Sequence, residues 1–511
     1  MSHLCFYFIC IACDSGVQEF EMKIAFLHAV DYLDIGIPQG ISLLAAIVKE
    51  HGHDVKVIDT TFMKTSDYKR PKAGPTIYKK TAYDIHDLVK DDYEVNVVQE
   101  IQRQIDEYAP DLFAVSVMTT NYQYSVDLME KLDVKCTVIY GGHPTICPEE
   151  VLAKEFVDIV CVGEGDIALP KLCDAIERKE DYFQIPNLWI KRKIDGNITI
   201  IRNPQGKFVD LNTLPVPDWS LFDQRHLFRP YDGNVYTGGF FVSSRGCPGK
   251  CTYCVNEVLQ GICKDCGAYF RRMSPRKIAE QVKFLKETYG ATWFKFGDDT
   301  FLLHTVAEFE ELRDLIKPLN IMFGCSVRPD TVTEKKVKLL KEMGCVAMSV
   351  GVETGNERLR RDSLNRQISN KQIENALYWI GKEGIRISTF NLLGIPGEKR
   401  EDVYETIRLN KKLNVKAANV YILYPFPGTV IYKKYKPNII DAEGKIIPME
   451  KAEKFKFSMM SQDDLVGLQK TFNLYLALPE TLWPIIRLAE KDDAQGKIIY
   501  DSLNDFAISR L

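Results

Sequence analysis

The most chemically distinctive feature of the sequence is a group of three cysteines within eight residues. Cys247, Cys251 and Cys254 are spaced CxxxCxxC in a stretch that also contains glycine. Three thiolates on one short loop can point at a single centre, and a cubane iron–sulfur cluster held by three cysteines leaves one iron free to bind something else. A structural zinc site needs a fourth ligand, and the nearby pair Cys263 and Cys266 keeps that alternative open. We expect the three-cysteine loop to hold a [4Fe–4S] cluster, and we interpret the nearby pair as incidental thiols.

The elements that must position this loop form a repeating pattern of apolar runs and helices. The loop directly follows the first of six strand-like runs, which alternate with amphipathic helical patterns. Six such units predict a partial, TIM-like (β/α)6 barrel, whose functional groups lie at the carboxyl ends of its strands. We place this barrel at residues 237–460 and a helical C-terminal segment at 461–511. The runs are Gly239–Ser244, Thr292–Gly297, Ile321–Val327, Val346–Val352, Ile385–Leu393 and Ala417–Tyr424.

A second alternating region precedes the barrel. Its strand-like runs are rich in β-branched residues and are separated by amphipathic helices, which predicts a doubly wound, Rossmann-like parallel sheet covered on both faces. We place this α/β domain at residues 22–185 and a connector at 186–236. No GxGxxG follows the first run, so a dinucleotide fingerprint is absent. Ligands of such sheets bind beyond the carboxyl ends of the strands, and loops with paired glycines stand there in this sequence.

The cysteine triplet, with Tyr253 just before its last cysteine, resembles the signature of the radical S-adenosylmethionine (SAM) enzymes. The resemblance continues along the barrel, because acidic, glycine and proline residues follow its later strands in the order of that family. It implies that the free iron binds the amino and carboxylate groups of SAM, with Asp298 and Arg328 as their protein partners. Strand-end salt bridges are the alternative role for both residues. The positions that the resemblance places against SAM are Tyr253, Gly297, Asp298, Asp299, Ser326, Arg328, Glu353 and Gly394.

The amino-terminal region resembles the cobalamin-binding domain that many radical SAM enzymes carry ahead of the barrel. The resemblance rests on Pro38–Gly40, on Gly52–Asp59 and on the glycine-containing loops at the later strand ends. The DxHxxG motif is absent, as is common in this fused class, so no histidine need ligate cobalt from below. The alternative role of His143 is that of a loop residue that forms a hydrogen bond rather than a cofactor contact. The positions placed against cobalamin are Thr119, Thr120, Gly141, Gly142, His143, Gly163, Glu164 and Gly165.

The combined resemblance implies a mechanism and a substrate class. In this family the reduced cluster cleaves SAM to a 5′-deoxyadenosyl radical that abstracts a hydrogen atom from the substrate. Together with cobalamin, this implies a methyltransferase that acts on an unactivated carbon of a small molecule or lipid precursor, with a reductant such as flavodoxin or ferredoxin. One alternative keeps the radical step without methyl transfer, as in a cyclase, an oxidoreductase or a C–C bond-forming enzyme of lipid, tetrapyrrole or natural-product biosynthesis.

Two further functions share parts of the same pattern. Methylthiolation of transfer RNA would require three more cluster cysteines in the amino-terminal domain and a basic terminal domain. Cys136, Cys147 and Cys161 stand in the wrong setting, and the C-terminal segment is not strongly basic. The other alternative is a non-enzymatic iron–sulfur or corrinoid binding module, and the ordered set of barrel loops argues against it.

Composition excludes several classes of protein. Of the 511 residues, 45% are hydrophobic, and 66 basic against 70 acidic residues give a net charge of −4. This is a globular balance that does not suggest a nucleic-acid partner. No apolar run approaches the ~20 residues of a membrane span, and 14 cysteines are too few for a disulfide scaffold. We therefore expect a cytoplasmic protein, with residues 1–21 as a disordered or mis-started extension ahead of Met22.

Overall fold

Two sheets, each covered by helices, make up the described part of the molecule. The computed structural model describes residues 22–65, 94–194, 197–416, 418–436 and 458–509. The expected extension at residues 1–21 lies outside these ranges. Both sheets are dominated by parallel strands and appear in the predicted order along the chain. The predicted fold class is therefore confirmed.

The amino-terminal sheet is buried on both faces. Its strands are β1 (Lys23–His28), β2 (Asp54–Asp59), β3 (Leu112–Val117), β4 (Thr137–Gly142), β5 (Ile159–Cys161), β6 (Leu188–Ile194) and β7 (Asn197–Arg202). Their order is β2-β1-β3-β4-β5-β6-β7, with the first five parallel and β6 and β7 forming an antiparallel hairpin at one edge. In β1, Ile24 and Phe26 belong to one hydrophobic core, whereas Ala25 and Leu27 belong to another. Since successive side chains of a strand point to opposite faces, both faces are covered.

Helices follow the strands of this sheet. The described ones are α1 (Gln39–Glu50), α2 (Val97–Tyr108), α3 (Tyr122–Met129), α4 (Pro148–Leu152) and α5 (Ala168–Glu177). Helix α2 begins after Asn96, whose side chain accepts a hydrogen bond from the N–H of Gln99, and it ends at Ala109, which has a left-handed conformation. Its buried residues include Ile101 and Ile105, four positions apart on one face.

The second sheet curls into a half-barrel. Its region contains β8 (Phe228–Tyr231), β9 (Asn234–Phe241), β10 (Ser244–Arg245), β11 (Arg271–Arg272), β12 (Trp293–Phe296), β13 (Met322–Val327), β14 (Cys345–Glu353), β15 (Arg386–Leu393) and β16 (Ala418–Ile422). β10 and β11 pair with each other, and the other strands form a sheet in the order β16-β15-β14-β13-β12-β9-β8. From β9 to β16 this sheet is parallel, and β8 runs antiparallel to β9. The six parallel strands are the six predicted β/α units.

Helices of the half-barrel and of the C-terminal segment cover the second sheet. They are α6 (Val255–Ile262), α7 (Pro275–Tyr289), α8 (Val306–Ile316), α9 (Glu334–Glu342), α10 (Glu357–Asp362), α11 (Asn370–Lys382), α12 (Arg400–Lys412), α13 (Val430–Tyr435), α14 (Gln462–Ala477), α15 (Trp483–Ala489) and α16 (Ala494–Ile508). Helix α14 packs against α12 and against β16, the edge strand of the half-barrel. Covering an edge protects its unpaired backbone groups, and the prediction of a helical C-terminal segment is confirmed.

The first barrel strand differs from its prediction at both ends. It begins at Asn234, five residues early, because it pairs with β8 in an antiparallel hairpin. It ends at Phe241, three residues early, because Ser243 donates its N–H and its hydroxyl to the carboxylate of Asp298 instead of extending the strand pairing.

The connector between the sheets is part of the hydrophobic core. Trp219 is 2% exposed and belongs, with residues of both sheets, to one continuous cluster of buried side chains. A side chain at Gly239 of β9 would meet the Trp219 ring at 2.9 Å, so the absence of a side chain allows this approach. The connector therefore fixes the two sheets to one another rather than acting as a loose linker.

Candidate functional site

The cysteine loop lies between β10 and α6. Cys251 is buried, and Cys247 and Cys254 are partly exposed. The backbone N–H of Gly249 lies 3.4 Å from Sγ of Cys247, and the side-chain amide of Asn256 lies 3.8 Å from Sγ of Cys254. N–H groups directed at the sulfurs suit thiolates that ligate a metal centre.

The spacing of the sulfurs separates a cluster from a single zinc ion. Tetrahedral zinc, with Zn–S bonds of about 2.3 Å, holds its sulfurs about 3.8 Å apart. The three Sγ atoms of the loop do not all lie within 4.8 Å of one another, and within the described ranges neither Cys263 nor Cys266 completes such a group with them. The spacing of the triplet therefore does not match a single zinc ion.

Two guanidinium groups lie beside Cys251. Nη1 of Arg328 is 3.8 Å and Nη1 of Arg366 is 4.0 Å from its Sγ. Arg328 also pairs with Asp330 through Nε and Nη2, at 3.2 and 2.9 Å. Both cations therefore lie where they can interact with a metal centre that Cys251 ligates. Sequence reasoning missed Arg366, which follows α10 and belongs to no motif.

Glu353, at the end of β14, is held in an unusual backbone conformation. Its φ is 64°, in the left-handed region that residues with a side chain seldom adopt. Its buried carboxylate lies 3.5 Å from Nη1 of Arg366, whose Nη2 donates to the carbonyl of Gly351 at 2.8 Å. A side chain at Gly351 would lie 2.8 Å from Nη2 of Arg366 and 2.8 Å from Oε1 of Glu353. Such conformations persist where surrounding contacts enforce them, often at functional sites.

The two aspartates that follow β12 have different surroundings. Oδ1 of Asp298 accepts hydrogen bonds from the N–H and hydroxyl of Ser243 and from the hydroxyl of Ser244, at 2.5–3.1 Å. Burial raises the pKa of Asp298 to about 6, although these hydrogen bonds oppose the shift. Asp299 is exposed and hydrogen-bonds to Asn256, next to the cysteine loop. Asp298 therefore ties β9 to β12, whereas Asp299 presents its carboxylate to the loop.

The other positions expected near SAM lie along the same strand ends. Tyr253 packs against a small hydrophobic cluster at the far side of the half-barrel. Gly394 has a φ of 78°, and its N–H donates to Oε2 of the buried Glu398 at 2.7 Å. Gly297 is exposed at the end of β12, and Ser326 is partly exposed on β13.

A cavity of about 340 Å³ opens between the two sheets. Its walls come from β1, β3 and β4, from α1, from the connector and from β9. Leu44 and Phe241 are among the apolar side chains that face it, one from each sheet region. Cofactor sites combine such apolar walls with a few polar groups. The expected cobalamin positions that line it are Gly141, Gly142, Gly163, Glu164 and Gly165.

Gly142 shows why this wall needs glycine. Its φ is 86°, and a side chain there would lie 2.2 Å from the carbonyl oxygen of Val117, its partner in β3. A side chain at Gly141 would meet nothing within 4 Å. Gly142 therefore allows β3 and β4 to pair up to their ends, and Gly141 leaves open space for a ligand.

The remaining cobalamin positions are not among the residues that line this cavity. Oγ1 of Thr119 lies 3.0 Å from Nδ1 of His143, which packs against the ring of Tyr122 with ring centroids 4.5 Å apart. Burial lowers the pKa of His143 to about 4, so the ring is neutral near pH 7. Thr120 is exposed. His143 therefore forms a hydrogen bond with the loop that follows β3.

A network of four charged residues connects the cavity to the cysteine loop. Arg245, two residues before Cys247, binds the carboxylate of Asp166 through two hydrogen bonds of 2.7 and 2.9 Å. Its Nη1 also lies 3.1 Å from Glu164, which pairs in addition with Arg271. Arg245, Asp166 and Glu164 all line the cavity. Sequence reasoning missed this network, because its partners are about 80 to 107 positions apart.

The three amino-terminal cysteines that methylthiolation would need do not converge. Within the described ranges, Cys136, Cys147 and Cys161 form no common group of ligand atoms. Cys147 lies instead with His143 and Glu150, whose ligand atoms are all within 4.8 Å of one another.

Comparison with known families matches both sheet regions. The family described as the Radical SAM superfamily matches residues 241–409, and the B12 binding domain matches residues 76–173. The first match begins at the last residue of β9 and covers the cysteine loop and β12 to β15. The second covers β3 to β5, whose ends line the cavity.

Similar proteins include curated methyltransferases and a solved structure. A protein of Pyrococcus horikoshii named as an uncharacterized methyltransferase is 27% identical over 78% of each chain. The cytidylyl-2-hydroxyethylphosphonate methyltransferase of Streptomyces wedmorensis is 20% identical over 81% of this chain and 80% of that one. The radical SAM methyltransferase TsrM from Kitasatospora setae, solved with cobalamin and a [4Fe–4S] cluster, has a TM-score of 0.65 at 14% identity over 96% of this chain and 99% of that one. This last likeness shows the fold alone.

The described helices were compared with the length and hydropathy of a membrane span. In the part of the chain that the structure describes, no helix has both the length and the apolar character that crossing a bilayer requires.

Proposed function

Given that the chain carries a B12-binding domain ahead of a radical SAM domain, as the sequence predicted, we propose that it is a cobalamin-dependent methyltransferase acting on an unactivated carbon of a small molecule or lipid precursor. The cofactors that these domains indicate are the predicted ones, a [4Fe–4S] cluster, SAM and cobalamin. We propose a cobalamin domain at residues 22–185, a connector at 186–236, a barrel at 237–460 and a helical segment at 461–511. The connector then also carries the β6–β7 hairpin, which extends the amino-terminal sheet, and β8, which extends the second sheet.

The observation that carries this proposal is the position of Arg245. It lines the cavity of the amino-terminal sheet, and it stands two residues before the first cysteine of the loop. Its ion pairs with Asp166 and Glu164 hold the cavity and the loop together. A reaction that needs both cofactors requires this adjacency, because a carbon radical must meet the methyl donor without leaving the site.

The residues around the cysteine loop suit the predicted ligands. Cys247, Cys251 and Cys254 would hold the cluster. Arg328 and Asp299 offer opposite charges beside the loop, which suits the carboxylate and the amino group of SAM. When bound, the cluster and SAM supply a radical that removes hydrogen from carbon, and cobalamin supplies the methyl group.

The cavity residues would hold and shield the corrinoid. Gly141 and Gly163 allow the backbone to approach a large ligand, and the apolar walls exclude water from the reacting face. The reductant, flavodoxin or ferredoxin, would deliver its electron to the cluster. We place the enzyme in the cytoplasm, because none of the described cysteines is paired in a disulfide.

The proposal can be tested by isotope transfer. Protein purified without oxygen and loaded with cluster and cobalamin is incubated with SAM carrying a deuterated methyl group, a reductant and candidate substrates. We expect a product that contains the deuterated methyl group, together with 5′-deoxyadenosine, by mass spectrometry. A product that forms without the label would replace methyl transfer by cyclisation, oxidation or C–C bond formation. A reduced, cluster-loaded protein that forms no 5′-deoxyadenosine would favour the binding module.

A further inference from the structure

Three side chains of the kinds that ligate metals converge just beyond the carboxyl end of β4. A ring nitrogen of His143, Sγ of Cys147 and a carboxylate oxygen of Glu150 all lie within 4.8 Å of one another. They stand at positions i, i+4 and i+7 of the segment that runs from β4 into α4. A zinc ion with bonds of about 2.0–2.3 Å holds its ligand atoms about 3.3–3.8 Å apart. Side-chain movements of about 1 Å would therefore bring these three atoms onto one ion.

The backbone that carries these side chains is fixed by hydrogen bonds. The N–H of Cys147 donates to the carbonyl of Pro144 at 3.3 Å, which closes the turn after β4. The N–H of Gly163, in the loop after β5, donates to Oγ1 of Thr145 at 3.1 Å. The turn is thus attached to a neighbouring loop, so the three side chains are presented by an ordered backbone.

Each of the three groups lacks a competing partner among the described residues. The hydrogen bond of the His143 ring uses Nδ1 and leaves Nε2 without one. Cys147 directly precedes α4, but its side chain makes no capping hydrogen bond. The carboxylate of Glu150 forms no ion pair within the described ranges, whereas the adjacent Glu149 lies 3.8 Å from Arg202. Since polar groups of buried side chains are usually satisfied, Nε2 of His143 indicates a ligand at this point.

His143 is held in the way that metal-binding histidines are held. The residue is 7% exposed, Oγ1 of Thr119 lies 3.0 Å from its Nδ1, and the ring of Tyr122 packs against its own. A ligating histidine usually directs its other ring nitrogen to such an oxygen, which fixes the tautomer and the orientation of the ring. Thr119 is 24 positions away in the chain. This contact is therefore independent of the local spacing that brings the three ligand atoms together.

The three residues lie near a helix of the second sheet region. Burial, together with the nearby Cys147 and Glu150, raises the pKa of Tyr432, a residue of α13. In the same helix, the N–H of Ile431 donates to the carbonyl of Thr252, inside the cysteine loop, at 3.1 Å. An ion bound here would therefore lie where the amino-terminal domain approaches the helix that contacts the cysteine loop.

We propose that His143, Cys147 and Glu150 bind one zinc ion, with water in the fourth position. Imidazole, thiolate and carboxylate groups are the protein ligands of zinc, whereas calcium and magnesium take oxygen ligands. The inference does not depend on the proposed function, because binding of zinc requires neither SAM nor cobalamin.

Binding exchanges one proton for the metal. Burial raises the pKa of Cys147 to about 12, so the thiol carries its proton before zinc is bound. Formation of the Zn–S bond breaks the S–H bond and releases the proton to water, because a thiol that coordinates zinc is deprotonated. No electron is transferred, so the step requires no oxidant or reductant.

X-ray absorption at the zinc edge tests the site in the holoenzyme. The full chain, loaded with cluster and cobalamin, is dialysed against zinc sulfate, and neither iron nor cobalt contributes at this edge. We expect one zinc per chain, with one sulfur at about 2.3 Å and nitrogen or oxygen ligands at about 2.0–2.2 Å. The number of sulfurs identifies the site. Zinc held by the pair Cys263 and Cys266 would show two sulfurs, and zinc in the cysteine loop would show three.

Glu150→Gln and its neighbour control Glu149→Gln test the assignment without disturbing the core, because both side chains are exposed. Competition with a chromophoric chelator measures the affinity for zinc. We expect the affinity to fall at least about tenfold in Glu150→Gln and to stay unchanged in Glu149→Gln. Cys147→Ser should remove the sulfur from the zinc spectrum, whereas Cys136→Ser, at another half-buried cysteine of the same domain, should retain it.

Thr119 is a positioning residue in this site. Thr119→Val removes the hydroxyl beside Nδ1 of His143, and the loss of such an outer contact lowers metal affinity about 10–100-fold. Thr119→Ser keeps a hydroxyl and should restore most of the affinity. Both variants should still show one sulfur around zinc, because the ligands themselves are unchanged.

Four results would overturn the proposal. The first is zinc with two or three sulfurs in the loaded holoenzyme. The second is equal zinc affinity in Glu150→Gln and Glu149→Gln. The third is a one-sulfur spectrum that persists in Cys147→Ser. The fourth is a cobalamin-loaded protein that binds no zinc although the cobalamin-free chain does, which would assign His143 to the corrinoid.

Discussion

The cysteine loop and the cavity between the sheets differ in how they can bind a cofactor. Around the loop, side chains provide the contacts: the sulfur of Cys251 lies beside two guanidinium groups, one of which pairs with the strained Glu353. Around the cavity, glycines and apolar side chains form most of the wall. The first region selects its ligand by chemistry at a few atoms, and the second by shape and by close approach of the backbone. Substitutions should therefore act locally at the loop and through backbone geometry at the cavity.

The largest expected effect comes from Cys251→Ala. A cubane cluster held by three cysteines does not survive the loss of one, so we expect the variant to lose nearly all of its iron and all formation of 5′-deoxyadenosine. Iron content and the visible absorption of the reconstituted protein measure this. Cys136→Ala, at a half-buried cysteine of the other domain, should keep both properties. An unchanged iron content in Cys251→Ala would contradict the assignment of the cysteine loop as the cluster site.

The next effect concerns the buried ion pair beside the loop. Arg366→Met leaves the carboxylate of Glu353 buried without its cation, which costs about 3–5 kcal/mol when one partner of a buried pair is removed. The free energy of unfolding from urea titration measures this loss. The double variant Arg366→Met with Glu353→Gln should recover most of it, because no charge is left unpaired. A double variant as unstable as the single one would mean that Arg366 acts by packing rather than by charge.

The cavity is probed by Gly142→Ala, with Gly141→Ala as its neighbour control. Alanine at residue 142 would place a side chain 2.2 Å from the carbonyl oxygen of Val117, at a φ of 86°, and we expect a loss of about 3 kcal/mol of stability. Alanine at residue 141 meets nothing within 4 Å, so it should fold normally and weaken only cobalamin binding. Urea unfolding and binding of hydroxocobalamin separate the two outcomes. Equal stability losses would show that the wall tolerates no side chain at either position.

The two regions also differ in what the sequence could predict. The six barrel strands follow from local periodicity, and the structure contains all six, with the first strand shifted at both ends. The cysteine loop is recognisable from its spacing alone. Arg366 and Arg245 could not be found this way, because each meets its partners across many positions of the chain. The left-handed conformation of Glu353 depends on those same distant contacts. At the cavity, the glycines that the sequence singled out lie in the wall, whereas Thr119 and His143 are not among the lining residues, because their position depends on how β3 and β4 end.

The smallest expected effect is a pH dependence at the edge of the cavity. Burial holds the pKa of His143 at about 4 in the folded protein, against about 6.5 in an unfolded chain. Below pH 6.5 the unfolded chain therefore takes up a proton that the folded protein does not, and folding loses stability as the pH falls from 6.5 toward 4. The loss attributable to this residue is about 2 kcal/mol at pH 5. His143→Gln should remove it, and the difference in unfolding free energy between pH 7 and pH 5 should shrink by that amount.

His304 provides the control for this pH dependence from the other region. Burial among aromatic rings of the half-barrel also lowers the pKa of His304 to about 4, so His304→Phe should reduce the acid sensitivity by a similar amount while leaving cobalamin binding unchanged. His143→Gln should instead alter the contact with Thr119 beside the cavity. If His143→Gln leaves the slope of stability against pH as steep as in the wild type, then the pKa of His143 is the same in the folded protein and in the unfolded chain, and its burial does not cause the acid sensitivity.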